Sequence, residues 1–158
     1  MTAVNCPPNY YGDNNTLLCV NPCSGTLPFG DPISKFCVID CPDGYFGDIN
    51  LNLCVPICNS TAVYYADNIT GNCSAFCSEG TYGVNASAYD PNPSCEEECP
   101  SGSYALNSTR ICVANCGSGF YGDPITRKCY SSPFNCSFGY FRSEEHTSEL
   151  QSHSDLVC

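Results

Sequence analysis

No stretch of residues 1–141 repeats its apolar positions at helical spacing. Apolar residues come instead in runs of a few, each holding an aromatic and each bracketed by Gly, Pro, Asn or Asp. The clearest copies read CPPNYYGDNNTLLC, CPDGYFGDINLNLC and CGSGFYGDPITRKC. Five positions after the opening cysteine stands an aromatic: Tyr11, Phe46, Tyr82, Tyr104, Tyr121 and Phe141, with Phe29 and Tyr65 slightly later in two longer copies. Three positions after it stands Asn9, Gly44, Gly80, Gly102, Gly119 or Gly139, residues that tolerate φ > 0, so a tight turn is expected there. Gly-Asp follows the aromatic at Gly12-Asp13, Gly30-Asp31, Gly47-Asp48 and Gly122-Asp123. The pattern predicts a turn, a short strand around the aromatic, a second turn at Gly-Asp, and a return strand into the closing cysteine. That is a small irregular β-hairpin.

The cysteines set the period. Six junctions carry Cys-x3-Cys: Cys19/Cys23, Cys37/Cys41, Cys54/Cys58, Cys73/Cys77, Cys95/Cys99 and Cys112/Cys116. Between junctions the intervening stretch varies from 12 to 17 residues. A fixed connector with an elastic loop marks a repeated, covalently closed unit. The expected fold is a small disulfide-rich one, an elongated array of about eight hairpin modules starting near residues 6, 23, 41, 58, 77, 99, 116 and 136. The module from Cys77 diverges most, with a long loop and Glu96, Glu97 and Glu98 at its junction.

Three pairings satisfy the spacing. Closure within loops leaves Cys136 single, closure across junctions leaves Cys6 single, and a staggered one-to-three scheme is the third. The variable gap favours the first, because a bridge at the base of a loop tolerates insertions within it.

Residues 142–158, RSEEHTSELQSHSDLVC, back-translate onto a common sequencing-library adapter and are set apart as a non-native tail. Both histidines, His146 and His153, lie there, as does Cys158. The remaining 141 residues hold 15 cysteines, and four basic against twelve acidic residues, a net charge of −8. Leu, Ile, Val and Phe number 28, with no Trp, too few for an ordinary core of this length. Covalent closure then stands in for the core, which requires an oxidising compartment. Sequons at Asn14, Asn59, Asn68, Asn85 and Asn107 agree with a secretory setting; those at Asn72 and Asn135 directly precede a cysteine, which hinders them. No signal peptide and no apolar run long enough to span a bilayer is visible, so the chain reads as a fragment of a longer secreted or membrane-anchored protein.

A bridge closing about 15 residues contributes roughly 3 kcal/mol. Ordering a dozen residues costs about 1.5 kcal/mol each. The bridge alone therefore cannot fold a module. The recurrent aromatic is expected to pack on the neighbour's disulfide or proline, with stability largely nearest-neighbour. At CPDGYFGD and its copies the chain resembles the furin-like, growth-factor-receptor cysteine-rich repeats over most of residues 6–141. The likeness is to their single-bridge modules, although two-bridge modules are missing. Long simple arrays of this kind are similar to cysteine-rich surface proteins of protists. The resemblance implies modules stacked into a rod. It also implies closure within each loop: Cys6–Cys19, Cys23–Cys37, Cys41–Cys54, Cys58–Cys73, Cys77–Cys95, Cys99–Cys112 and Cys116–Cys129.

Catalysis has little to stand on. Residues 1–141 lack histidine, and cysteines expected to be bridged are not nucleophiles. Zinc at Cys-x3-Cys pairs conflicts with the sequons. Calcium at Asp13, Asp31, Asp48, Asp67 and Asp123 would need converging oxygens; an Asx turn is the simpler role. No catalytic residue, metal or cofactor is expected. The acidic balance disfavours nucleic acid and anionic membrane surfaces, and no small-molecule substrate is implied. Membrane attachment would come through an anchor outside this fragment. The aromatic pairs Tyr10-Tyr11, Tyr45-Phe46, Tyr64-Tyr65 and Phe120-Tyr121 would point one ring inward and one outward on extended backbone, unless both pack between modules. Outward tyrosines would suit a protein partner. The expected function is a non-enzymatic extracellular repeat region of a surface or secreted glycoprotein, a spacer or protein-interaction stalk. The alternatives are the cysteine-rich region of a secreted furin-like processing protease, a receptor ectodomain, or a coat antigen.

Overall fold

The computed structural model describes residues 6–58, 65–85, 92–132 and 135–136. The expectations for Asn59, Tyr64, Gly139, Phe141 and the tail 142–158 lie outside the described residues. The chain divides into two compact units: residues 6–58, 65–75 and 92–94 form one, and 76–85, 95–132 and 135–136 the other. No helix is found among the described elements.

The first unit contains four antiparallel hairpins in chain order: β1 (Tyr11–Asp13) with β2 (Leu18–Val20), β3 (Phe29–Gly30) with β4 (Cys37–Val38), β5 (Phe46–Asp48) with β6 (Leu53–Val55), and β7 (Tyr65–Asp67) with β8 (Asn72–Ser74). The second unit contains β9 (Tyr82–Val84), then β11 (Tyr104–Leu106) with β12 (Ile111–Val113), and β13 (Tyr121–Asp123) with β14 (Lys128–Tyr130). β10 (Ser94–Glu96) gives Ser94 to the first unit and Cys95 to the second. The architecture is a disulfide-rich array of short β-hairpins.

Seven disulfides close these loops: Cys6–Cys19, Cys23–Cys37, Cys41–Cys54, Cys58–Cys73, Cys77–Cys95, Cys99–Cys112 and Cys116–Cys129. Their Cα–Cα separations run from 5.5 to 5.7 Å. Each ties the opening cysteine of a module to a cysteine in its return strand. Cys136, left single by within-loop closure of the sequence, is itself disulfide-bonded.

The turn expected three residues after the opening cysteine is present. Asn9, Gly44, Gly80, Gly102 and Gly119 have φ between 67° and 87°. The amide after each donates to a carbonyl three residues back, as in Tyr45 N–H to Pro42 O at 2.9 Å.

The turn expected at Gly-Asp is not there, and this corrects the sequence reading. Gly12, Gly30, Gly47 and Gly122 lie within strands, and each faces the closing cysteine of its own hairpin: Gly12 opposite Cys19, Gly30 opposite Cys37, Gly47 opposite Cys54, Gly122 opposite Cys129. The reversal falls on the four residues after the aspartate, or after Leu106 in the module from Cys99. Its last residue is left-handed in six modules: Leu17, Lys35, Asn52, Gly71, Arg110 and Arg127, with φ from 51° to 68°.

The glycines are there for space. A Cβ on Gly30 would come within 2.6 Å of the Tyr11 ring, one on Gly12 within 2.8 Å of the Phe36 ring, and one on Gly122 within 2.8 Å of the Tyr104 ring. In other modules the same position is Ala. Phe46 packs against a cluster formed by Cys58, Ala66 and Cys73, and Tyr82 clusters with Ala105 and Cys99. So the aromatic of one module lies on the small residue of the next, as Tyr11 on Gly30 and Tyr104 on Gly122, whereas Gly12 meets Phe36 of the following module. Phe46 and Tyr82 also cluster with half-cystines of the next module.

The same small residue links onward by its backbone. Gly12 N–H donates to Lys35 O (2.9 Å), Gly30 to Asn52 O (2.8 Å), Gly47 to Gly71 O (3.0 Å), Ala66 to Pro93 O (2.8 Å), Gly83 to Arg110 O (2.8 Å) and Ala105 to Arg127 O (2.7 Å). The acceptor is the last turn residue of the following module. The residue after the acceptor then pairs in parallel with the small residue, as Leu53 with Gly30, Asn72 with Gly47, Ser94 with Ala66, Ile111 with Gly83 and Lys128 with Ala105. Five of the six acceptors are left-handed, four of them bulky residues that bear a cost of about 1–2 kcal/mol for a non-glycine side chain.

Two stability measurements check this packing. Gly30→Ala should cost about 1–3 kcal/mol by overpacking and Gly30→Val more, read as a lower guanidinium midpoint without reductant. Leu17→Gly should raise the midpoint, by roughly 0.5–1 kcal/mol, because relief of left-handed strain exceeds the added chain entropy.

Candidate functional surface

Two kinds of polar site recur along the chain: the hairpin tip, with an aspartate in five modules, and the seam to the preceding module, with a polar side chain in four. At the tip, the aspartate ending the first strand turns its carboxylate onto its own loop. Asp13 accepts from Asn15 N–H (2.8 Å) and the Thr16 hydroxyl (2.7 Å), Asp31 from Ile33 N–H (2.8 Å), Asp48 from Asn50 N–H (2.9 Å), Asp67 from Ile69 N–H (2.9 Å) and Asp123 from Ile125 N–H (2.8 Å). These are Asx turns, which satisfy loop amides that the hairpin ladder does not reach.

Asp31, Asp48, Asp67 and Asp123 are buried, Asp123 fully. A buried carboxylate is costly unless hydrogen-bonded, and the loop amides meet that need. At Asp31 burial pushes the carboxyl pKa upward, but the Ser34 side chain and the Ile33 amide more than offset it, so the net direction is down. At Asp13 the Thr16 hydroxyl and then the Asn15 amide pull it down. Burial pushes the Tyr65 phenol up. Among the described residues no cluster of three or more His, Cys, Asp and Glu side chains is placed to hold a metal ion.

At the seam, the side chain of the left-handed turn residue reaches back. Arg110 Nη1 donates to Cys77 O at 2.8 Å, Arg127 Nη1 to Cys99 O at 2.6 Å, and Asn52 Nδ2 to Pro28 O at 3.4 Å. In the module with the long loop, Asn92 takes this role, accepting from Cys58 N–H (3.3 Å) and donating to Pro56 O (3.5 Å). The acidic junction Glu96–Glu98 is exposed, and Glu98 pairs with Arg127 Nη2 at 2.9 Å. That exposed pair is worth at most about 1 kcal/mol. Beside it an open cleft of 320 Å³ is lined by Tyr82, Glu97, Glu98, Thr126, Arg127 and Lys128, together with Cys99 and Ala105. Its charges of both signs offset one another, and its sulfur, Cys99, is locked in a bridge.

Of the aromatic pairs, Tyr10 is 44 % exposed, whereas Tyr45 and Phe120 are half-buried, so the outward member of a pair is covered to different degrees. Asn14, Asn68, Asn85 and Asn107 are exposed, Asn72 is half-buried, and Asn59 lies outside the described residues. Sequence reasoning missed the seam residues: Arg110 and Arg127 look like ordinary loop cations, and their equivalence shows in the sequence only as a fixed two-residue distance before the closing cysteine.

No family model, no curated protein and no solved structure matches this chain. The disulfides place it in an oxidising environment.

Because the Asp13 and Asp31 pKa values lie below their unfolded value near 3.9, their contribution to stability is full above that value. It is lost as pH falls through the depressed folded values. Asp31→Asn should therefore lie below the unaltered protein in denaturation midpoint at pH 7, and the gap should narrow below about pH 4.

Proposed function

We propose that this chain is a non-enzymatic, extracellular cysteine-rich repeat region of a surface or secreted glycoprotein, serving as a spacer or a protein-interaction stalk. The observation that carries this reading is the uniformity of the seam. Six small residues donate to the last turn residue, or its equivalent, of the following module, and each module is closed by its own bridge. Such a design adds length by adding modules and asks nothing new of the existing ones. The tip carboxylates and seam cations are occupied by backbone groups, which suits a scaffold better than a catalyst. The oxidising requirement of the bridges, the exposed sequons and the resemblance to furin-like and growth-factor-receptor repeats support a place outside the cell.

Lengthening tests the reading. Duplicating residues 23–57, two complete modules of the first unit, should increase the maximum dimension in small-angle X-ray scattering. Adjacent strands lie about 4.8 Å apart and each module adds two, so the increase should be roughly 10 Å per module. An unchanged dimension would sink the spacer role. A non-reducing peptide map of secreted protein should recover Cys41 linked to Cys54.

A further inference from the structure

The sequons fall in a register that the strands reveal. Asn14 follows Asp13 at the end of β1, Asn68 follows Asp67 at the end of β7, Asn85 follows Val84 at the end of β9, and Asn107 follows Leu106 at the end of β11. Each is the first residue after the module's first strand. Four of the six sequon asparagines within the described residues thus occupy one structural position, on four different modules, and all four are exposed. The remaining modules have Pro32, Ile49 or Pro124 there. At Asn107 the amide oxygen accepts the Tyr82 hydroxyl at 2.8 Å; the atom that takes a sugar is the amide nitrogen.

Asn72 has the opposite surroundings. It lies in β8 beside the bridged Cys73, paired in parallel with Gly47 of the preceding module. Its Nδ2 donates to Thr70 O at 3.0 Å, and its Oδ1 would collide with a Cβ on Gly47. A sugar on that nitrogen would have to fit beside the strand pairing with Gly47 and the Cys58–Cys73 bridge, on a side chain that is half-buried.

We propose that the hairpin tips are the N-glycan acceptor position of the module, occupied at Asn14, Asn68, Asn85 and Asn107, and that Asn72 stays bare in the folded array. This rests on the extracellular reading above. The donor class is a lipid-diphosphate-linked oligosaccharide. A C–N bond forms between the amide nitrogen and the anomeric carbon, the anomeric C–O bond to the diphosphate breaks, and the amide loses one proton as the lipid diphosphate departs. The tip accepts this because each of these asparagines is exposed, and at Asn107 the contact with the preceding module, from the Tyr82 hydroxyl, uses the amide oxygen rather than the nitrogen.

The test uses the whole chain secreted from a eukaryotic cell and treated with peptide N-glycosidase in ¹⁸O water, which converts each glycosylated Asn to labelled Asp. Label is expected at Asn14, Asn68, Asn85 and Asn107 and not at Asn72. In the untreated protein, Asn68→Gln should remove the mass of one glycan, whereas Ser74→Ala, which destroys the Asn72 sequon, should leave the mass otherwise unchanged. Asn72 labelled as fully as Asn68, or unlabelled tips in protein whose seven bridges are intact, would overturn this inference and leave the proposed function standing. Free thiols at Cys41 and Cys54 in the secreted protein would overturn the proposed function itself.

Discussion

Everything in this fold depends on how closely one module can approach the next at a single small residue. Gly12, Gly30, Gly47, Ala66, Gly83, Ala105 and Gly122 stand at equivalent positions, each directly after an aromatic. The preceding module's ring lies on this residue in the cases of Tyr11 on Gly30 and Tyr104 on Gly122. Its N–H meets the following module's turn carbonyl in six modules. At Gly12, Gly30 and Gly122 one atom of extra bulk would collide with a ring. Ala66 and Ala105 show that a methyl is accommodated when the ring and sulfurs around it are arranged for it.

The disulfide and the tip serve this contact from opposite ends of the hairpin. The bridge fixes the closing cysteine opposite the small residue, so the strand that must meet the next module is held at its middle. The aspartate fixes the four-residue reversal, so the left-handed residue that supplies the acceptor carbonyl stands at a set distance from the strand. Loop length is not fixed. Sequence separations between bridged cysteines range from 13 to 18, and the longest loop, whose extra residues fall between Val84 and Ser94, still presents Asn92 and Pro93 in the places that Arg110, Arg127 or Asn52 fill elsewhere. Insertion is tolerated even in the reversal when the acceptor carbonyl is still presented.

This division of labour explains how a chain with few aliphatic residues forms an ordered array. Buried area comes from half-cystines and aromatic rings; Cys23, Cys58, Cys77 and Cys99 are among the most deeply buried side chains. The polar groups taken inside are aspartates whose oxygens are met by backbone amides. What remains outside is the tip and the far side of each junction, where Ile39, Ile57 and Phe76 are exposed. A scaffold built this way can vary its surface module by module without disturbing its interior.

The sequence by itself determined the hairpin period, the module boundaries and the oxidising setting, because cysteine spacing is a covalent signal that needs no tertiary context. It also marked the turn at Gly44 and its equivalents, where Gly or Asn advertises φ > 0. Tertiary structure decided the purpose of Gly-Asp. A glycine needed for closeness looks the same in sequence as one needed for a turn, and the Tyr11 and Tyr104 rings that demand the space come from another module. It decided the true reversal too, since Leu17, Lys35, Arg110 and Arg127 carry no left-handed propensity, and the carbonyls of Lys35, Arg110 and Arg127 accept from the preceding module. The common position of Asn14, Asn85 and Asn107 was legible from the opening cysteine, eight residues back in each, whereas Asn68 stands ten after Cys58 and joined them once strand ends set the alignment.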